Sequence, residues 1–195
     1  MNEPVPQTPT TILDELLAAA RGLVAIVSGD RRAPSWFDFT RRGLAGSFIA
    51  LLVATAVSAY LPSLNSEAGY GDLPPSRLLL MAMFLFAIQL GFSALVLRQI
   101  GRLEVLVPYL VADNWATFFI TLGSTILTLL GIAGDAVVVV VGLLVLLVEI
   151  NIARLIMTLS PWQIAALLVA QLVGVTIGLF IVGMFLPLPA DALAQ

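Results

Sequence analysis

The chain contains no cysteine and no histidine. Without thiols there can be no disulfide, thiolate nucleophile, iron–sulfur cluster or cysteine-bound zinc, and cysteine usage says nothing about the redox compartment. Without imidazole, histidine-ligated haem, most zinc sites and the usual general base are excluded. Lysine is missing as well: all nine basic residues are arginine, which rules out Schiff-base and lysine-base chemistry. Charge of either sign is scarce, at 11% of residues against roughly a quarter in an ordinary globular chain. Apolar residues fill the space and make up 60% of the 195 positions. That balance belongs in a bilayer, and it leaves room for one membrane domain and a short N-terminal arm.

The chain is organised around residues 135–162, DAVVVVVGLLVLLVEINIARLIMTLSPW. From Ala136 to Val148 every residue is apolar or glycine. In water such a helix has no polar face; in lipid it needs none. Glu149, Asn151 and Arg154 follow, and they are the leading functional residues.

Ahead of the membrane domain, residues 1–42 form an arm expected on the cytoplasmic side. The opening MNEPVPQTP has no periodic apolar pattern and no early positive charge, so it reads as a disordered lead and not a secretory signal. Thr11 with Asp14 forms a helix start, and Gly29 is a fitting stop. The amphipathic helix between them, about residues 11–28, places Ile12, Leu13, Leu16, Leu17, Ala20, Leu23, Val24 and Val27 on one face, with Asp14, Glu15, Arg21 and Ser28 elsewhere. It is expected to lie in the interface or on its own bundle. Residues 30–42, DRRAPSWFDFTRR, combine four arginines with three aromatic rings and read as a topological anchor, with an anionic-lipid site as the alternative.

Five spans are expected in the domain covering 43–187, at about 43–61, 78–97, 115–132, 136–158 and 162–186, with a short outer tail at 188–195. The fold class is therefore all-α, a polytopic bundle of five transmembrane helices behind an interfacial helix. Pro108 interrupts the run before the third span, so residues 104–113 read as interfacial or re-entrant, with Asp113 or Asn114 as the helix cap. Ser160 and Pro161 restart the chain for the last span. Small residues recur every four positions at Gly46, Ala50, Ala54 and Ser58, and again at Ala166, Ala170, Gly174 and Gly178. These two ladders are candidates to pack on each other. Eight of the nine arginines fall on one side of this arrangement, all but Arg77, which places the N-terminus inside and the C-terminus outside. Arginine without lysine in an Ala-, Gly- and Pro-rich chain suggests a bacterium, and so a bacterial inner membrane.

Counted inward from the cytoplasmic ends, Gln89, Ser124, Glu149 and Gln171 reach comparable depth, with Thr55 a little further in. They form a candidate intramembrane polar site, because a lone carboxylate in hydrocarbon costs on the order of 2.5 kcal/mol or more. Asp113, Asn114, Asn151 and Arg154 form a candidate interfacial cluster. Arg154 lies about 140° round the helix from Glu149 and is not its partner.

No metal site and no cofactor is expected. Nucleic-acid binding finds no support, since the arginines serve topology. No catalytic residue is assigned, because no serine–histidine pair or nucleotide motif exists and two aspartates within spans are lacking. The partners expected are the lipid bilayer and another membrane protein or a second copy. Two functions remain: a structural, accessory or partner-binding bundle, and a small proton- or cation-coupled transporter or channel-like protein using Glu149. In span count, orientation and the SPWQ restart the chain resembles the Yip-type family of small five-helix membrane proteins. That resemblance implies a role in membrane traffic and assigns no residue.

Overall fold

The computed structural model describes residues 11–61, 74–132 and 134–185. The expected N-terminal lead, most of the loop after the first span and the C-terminal tail lie outside the described residues. All regular structure among the described residues is helical: α1 (Ile12–Val27), α2 (Arg41–Tyr60), α3 (Pro75–Gln99), α4 (Leu106–Leu129), α5 (Asp135–Asn151) and α6 (Pro161–Phe185). Five of these stretches, α2 to α6 with their adjoining turns, are long and apolar enough to cross a membrane. This is a helical membrane bundle.

Three helices, α1, α2 and α6, start where a side chain meets backbone N–H groups. At α1 the Thr11 Oγ1 accepts from the Asp14 N–H at 3.1 Å while Asp14 Oδ2 accepts from the Thr11 N–H at 3.2 Å, a reciprocal box. At α6 the Ser160 N–H donates to Gln163 Oε1 at 2.9 Å, and Pro161 occupies the first turn, where no N–H is needed. Thr40 caps α2, and Gly43 in its first turn lies so close to the Asp38 carbonyl that any side chain there would collide with backbone.

The third span corrects the sequence reading. It begins at Leu106, not at Trp115, after a 3₁₀ turn at Leu103–Val105. Pro108 falls at the third helical position, inside the first turn whose N–H groups have no intrahelical partner, so it does not break the helix. Asp113 and Asn114 are therefore neither caps nor part of a re-entrant stretch. They lie in the body of α4. At 1.5 Å per residue the 24-residue α4 is about 36 Å long, more than the ~30 Å hydrocarbon core, so tilt or projection accommodates it.

Packing is uneven along the membrane normal. The closest pairings are α2 with α4 and α3 with α6. The two small-residue ladders do not pack on each other; each receives bulkier neighbours from a different helix. Gly174 lies under the Phe92 ring and Gly178 under Leu85 and Ile88, all on α3. Ala50 packs with Ala19, Val111 and Trp115, Ala54 is fully buried, Gly46 lies against the Glu15 carboxyl, and Ser58 is half-buried with its hydroxyl on the Thr55 carbonyl. Ala166 and Ala170 are half-buried. The principal core gathers Ile26, Leu97, Tyr109, Val148, Ile152, Met157 and Leu167, joining α1 to α3, α4, α5 and α6, and Leu44 and Phe48 of α2 pack against it. All five spans thus converge in the half of the bundle nearest the arm. In the other half α5 stands apart, with Asp135 to Leu147 exposed or half-buried throughout.

The arm helix packs on its own bundle, one of its two expected placements. It packs through a small-residue face, Glu15, Ala19, Gly22, Ala25 and Ile26, against α4 and α5, while Leu13, Leu17 and Val24 stay exposed. Small side chains allow close approach, as at Gly22, where a Cβ would meet the Phe37 ring at 2.5 Å. The larger leucines are left on the flank, beside a polar crest of Asp14, Arg21 and Ser28.

Candidate intramembrane carboxyl site

The polar residues of four spans meet where the bundle converges. Tyr109 and Asp113 are one turn apart on α4 and share a face. Glu149 comes from the last turn of α5, Gln171 from α6 and Ser93 from α3. The Tyr109 hydroxyl donates to Glu149 Oε1 at 2.9 Å. Gln171 Nε2 reaches the same oxygen at 2.5 Å, the Tyr109 oxygen at 2.8 Å and Ser93 Oγ at 3.2 Å. An amide has two protons to give, so these three acceptors share them. Asp113, one turn from Tyr109 on the same face of α4, lies near enough to Glu149 for the two carboxyls to interact.

Ser93, Tyr109, Glu149 and Gln171 are all buried, while Asp113 keeps part of its surface accessible. No arginine joins them: Arg154, the nearest in sequence to Glu149, is exposed. Among the described residues no three Asp or Glu gather, so the site is a pair of carboxyls. Two neighbouring carboxyls repel when both are ionised, so a pair placed like this is suited to share a proton, and a phenol and an amide donate to the Glu149 carboxyl.

Of the expected site residues, Glu149 and Gln171 come together. Gln89 does not join them; Ser93, one turn further along α3, takes that place. Ser124 and Thr55 also stay out, each donating to the carbonyl four residues back on its own helix, Ile120 and Leu51. The expected interfacial cluster is dispersed. Asp113 belongs to the carboxyl pair, and Asn114 Nδ2 donates to Ser47 Oγ on α2 at 3.1 Å. Asn151 Nδ2 donates to the Ile26 carbonyl at 2.8 Å, and Arg154 faces outward beside the turn after α1.

A second buried carboxyl, Glu15 on α1, lies against Gly46 with its Oε1 lacking a hydrogen-bond partner. Burial first, and then the nearby Asp38, raise its pKa; Arg42 and a hydrogen bond with the Trp115 side chain pull the other way.

Sequence reasoning missed Tyr109, Ser93, Ser47 and Glu15. For Tyr109 a signal existed, its spacing of four from Asp113, which places both on one helical face once α4 is read as unbroken. Glu15 was read as polar surface because its neighbours in sequence are the exposed Asp14 and the leucine flank.

No family model, no curated protein and no solved structure matches the chain, so the resemblance to the Yip-type family rests on its general plan alone.

Proposed function

We propose that the protein is a small proton-binding membrane bundle, a proton- or monovalent-cation-coupled transporter or channel-like protein in which the Asp113–Glu149 pair is the binding site. The observation that carries this is the cluster itself: Glu149 held by Tyr109 and Gln171, with the Asp113 carboxyl of another span near it and no basic residue among them. Ionisable groups in the membrane interior are costly and characteristically mark ion or proton pathways. With a proton between them the two groups attract. With both ionised they repel by about 4 kcal/mol at 4 Å separation and an effective dielectric of 20. A small cation could replace the proton.

The element best able to respond is α5. Its last turns are buried, but its outer thirteen residues, Asp135–Leu147, rest on little of the bundle, so the charge of the pair bears on where α5 docks. Asp113 supplies the accessible side and Glu149 the enclosed one.

Difference infrared spectroscopy on the reconstituted protein across a pH titration tests this. A carboxyl band should titrate, disappear in Glu149→Gln, and change position or titration range in Asp113→Asn. Absence of any titrating carboxyl band would end the proposal.

An accessory, partner-binding role is the second reading, favoured by the exposed apolar surface of α5 at Val138, Val139, Val140, Leu143, Leu146 and Leu147. Under it, Glu149→Gln leaves function intact while polar substitutions at Val139 and Leu143 abolish it.

A further inference from the structure

The carboxyl pair leaves unused a basic recess at the arm-side rim of the bundle. Arg31, in the turn after α1, and Arg154, in the wide π turn that ends α5 (Ile152–Ile156), line an open pocket of about 510 Å³ with Leu155 and Thr158. Arg154 Nη2 reaches back over Gly29, lying 3.9 Å from where a Cβ on that residue would sit. Neither arginine enters an ion pair among the described residues. The adjacent Asp30 turns its carboxylate onto the Arg32 N–H at 2.9 Å.

The wall of the recess is fixed by a third arginine that is already committed. Arg102 pairs with Glu104 at 2.7 Å and donates to the Met157 carbonyl at 2.8 Å and to Thr158 Oγ1 at 3.2 Å. It ties the α3–α4 turn to the α5–α6 turn and supports Thr158 in a left-handed conformation, φ +53°, that a β-branched residue rarely adopts. The recess is therefore a braced pocket, lined by two arginines without an ion pair among the described residues and by Leu155 and Thr158.

Its depth points to the occupant. Arg154 lies two residues inside the end of the fourth span, Asp135–Ile156, and Trp162, 82% exposed, follows at the start of α6. Arginine and tryptophan at a span end mark the headgroup level. We infer that the recess binds the phosphate of an anionic phospholipid, with Arg31 and Arg154 as paired donors and Leu155 beside the glycerol and the first methylenes. A phosphate at a pair of guanidiniums forms charge-assisted hydrogen bonds, and each arginine near an anionic membrane surface contributes about 1 kcal/mol.

Native mass spectrometry of the full chain in detergent tests this, with phosphatidylglycerol, phosphatidylcholine and inorganic phosphate as probes. One phosphatidylglycerol should be retained in preference to phosphatidylcholine. Arg31→Gln with Arg154→Gln should weaken its binding by about tenfold or more, while Arg31→Lys with Arg154→Lys keeps most of it and Arg77→Gln, at the opposite end of the bundle, leaves it unchanged. Equal retention of the two lipids, or undiminished retention by the double glutamine variant, overturns the inference. Inorganic phosphate competing as well as the lipid's own headgroup would overturn the lipid assignment in favour of a free anion. Circular dichroism of each variant separates loss of the site from loss of the fold.

Discussion

Asn151, one residue before the π turn of α5, donates its side-chain amide to the carbonyl of Ile26 in the last turn of α1. The bond is buried and joins the arm to the fourth span across 125 residues of sequence. Ile26 is itself fully buried in the principal core. The arm helix is thus part of the bundle, and its position is coupled to α5, the helix that also carries Glu149. Asn151→Leu removes this buried bond while the Ile26 carbonyl keeps the Gly29 N–H at 3.0 Å, and should cost about 0.5–1.5 kcal/mol. Hydrogen exchange followed by mass spectrometry should then show faster exchange in α1 than in α3 or α6; equal protection of all three helices would mean the bond does not anchor the arm.

Docking of α1 should depend on pH through Glu15. Its pKa in the docked state is raised, chiefly by burial. The docked form therefore keeps a proton that the released form has lost, so docking is strongest below the ordinary glutamate value of 4.5 and weakens as pH rises through the raised value. The chain has no cysteine, so one introduced at the exposed Leu17 gives a clean labelling site. A spin label there should become more mobile with rising pH in the parent. In Glu15→Gln its mobility should be independent of pH, and identical profiles in the two proteins would remove Glu15 as the cause.

The packing of the last span is tested at its glycines. A Cβ at Gly178 would lie 2.7 Å from Leu85 Cδ2, and one at Gly174 would lie 2.9 Å from the Phe92 ring. Gly142 on α5 has nothing within 4 Å. Gly174→Val and Gly178→Val should therefore each destabilise the bundle by about 1–3 kcal/mol through overpacking, while Gly142→Val changes little. Thermal unfolding in detergent provides the comparison. A loss at Gly142 equal to that at Gly178 would show that α5 is packed along its whole length after all.

Much of this architecture can be read in the chain because lipid imposes simple conditions. A span must be apolar for about twenty residues and must satisfy its backbone internally, and five stretches meet those terms. Glu149 is legible as the one carboxylate inside the five expected spans, and Gln171 matches it in depth. What depth could not supply was rotation and tilt. Gln89 and Ser93 differ by about one turn, a few ångströms along the axis, and only the tilt of α3 decides which of them meets Gln171. Asp113 was obscured by Pro108, which looks like a helix break until its place in the first turn is known. The packing face of the arm helix is hard to read for a different reason: the leucines form its more hydrophobic stripe, but in a bilayer hydrophobicity marks the lipid as readily as the protein interior, and close packing falls to small residues.

The last prediction separates a site that binds a proton from one that merely holds helices together. Removing Glu149 takes from the buried Tyr109 hydroxyl its carboxyl acceptor, at about 1–3 kcal/mol for a polar group left unpaired, and removing Asp113 takes away the carboxyl beside Glu149. Removing both takes away the desolvation burden as well, and apolar replacement of buried polar pairs is often neutral or stabilising. Asp113→Leu and Glu149→Leu should therefore each lower thermal stability, while the double variant loses less than the sum of the two, since neighbouring groups of one cluster are coupled. Proton uptake in proteoliposomes carrying a trapped pH-sensitive dye should be lost in all three variants, including the double variant whose stability has partly recovered. If uptake instead follows stability, returning as the double variant recovers, the carboxyls act as packing and the proton site must be abandoned. Strict additivity of the two stability losses would show that the two side chains do not interact at all.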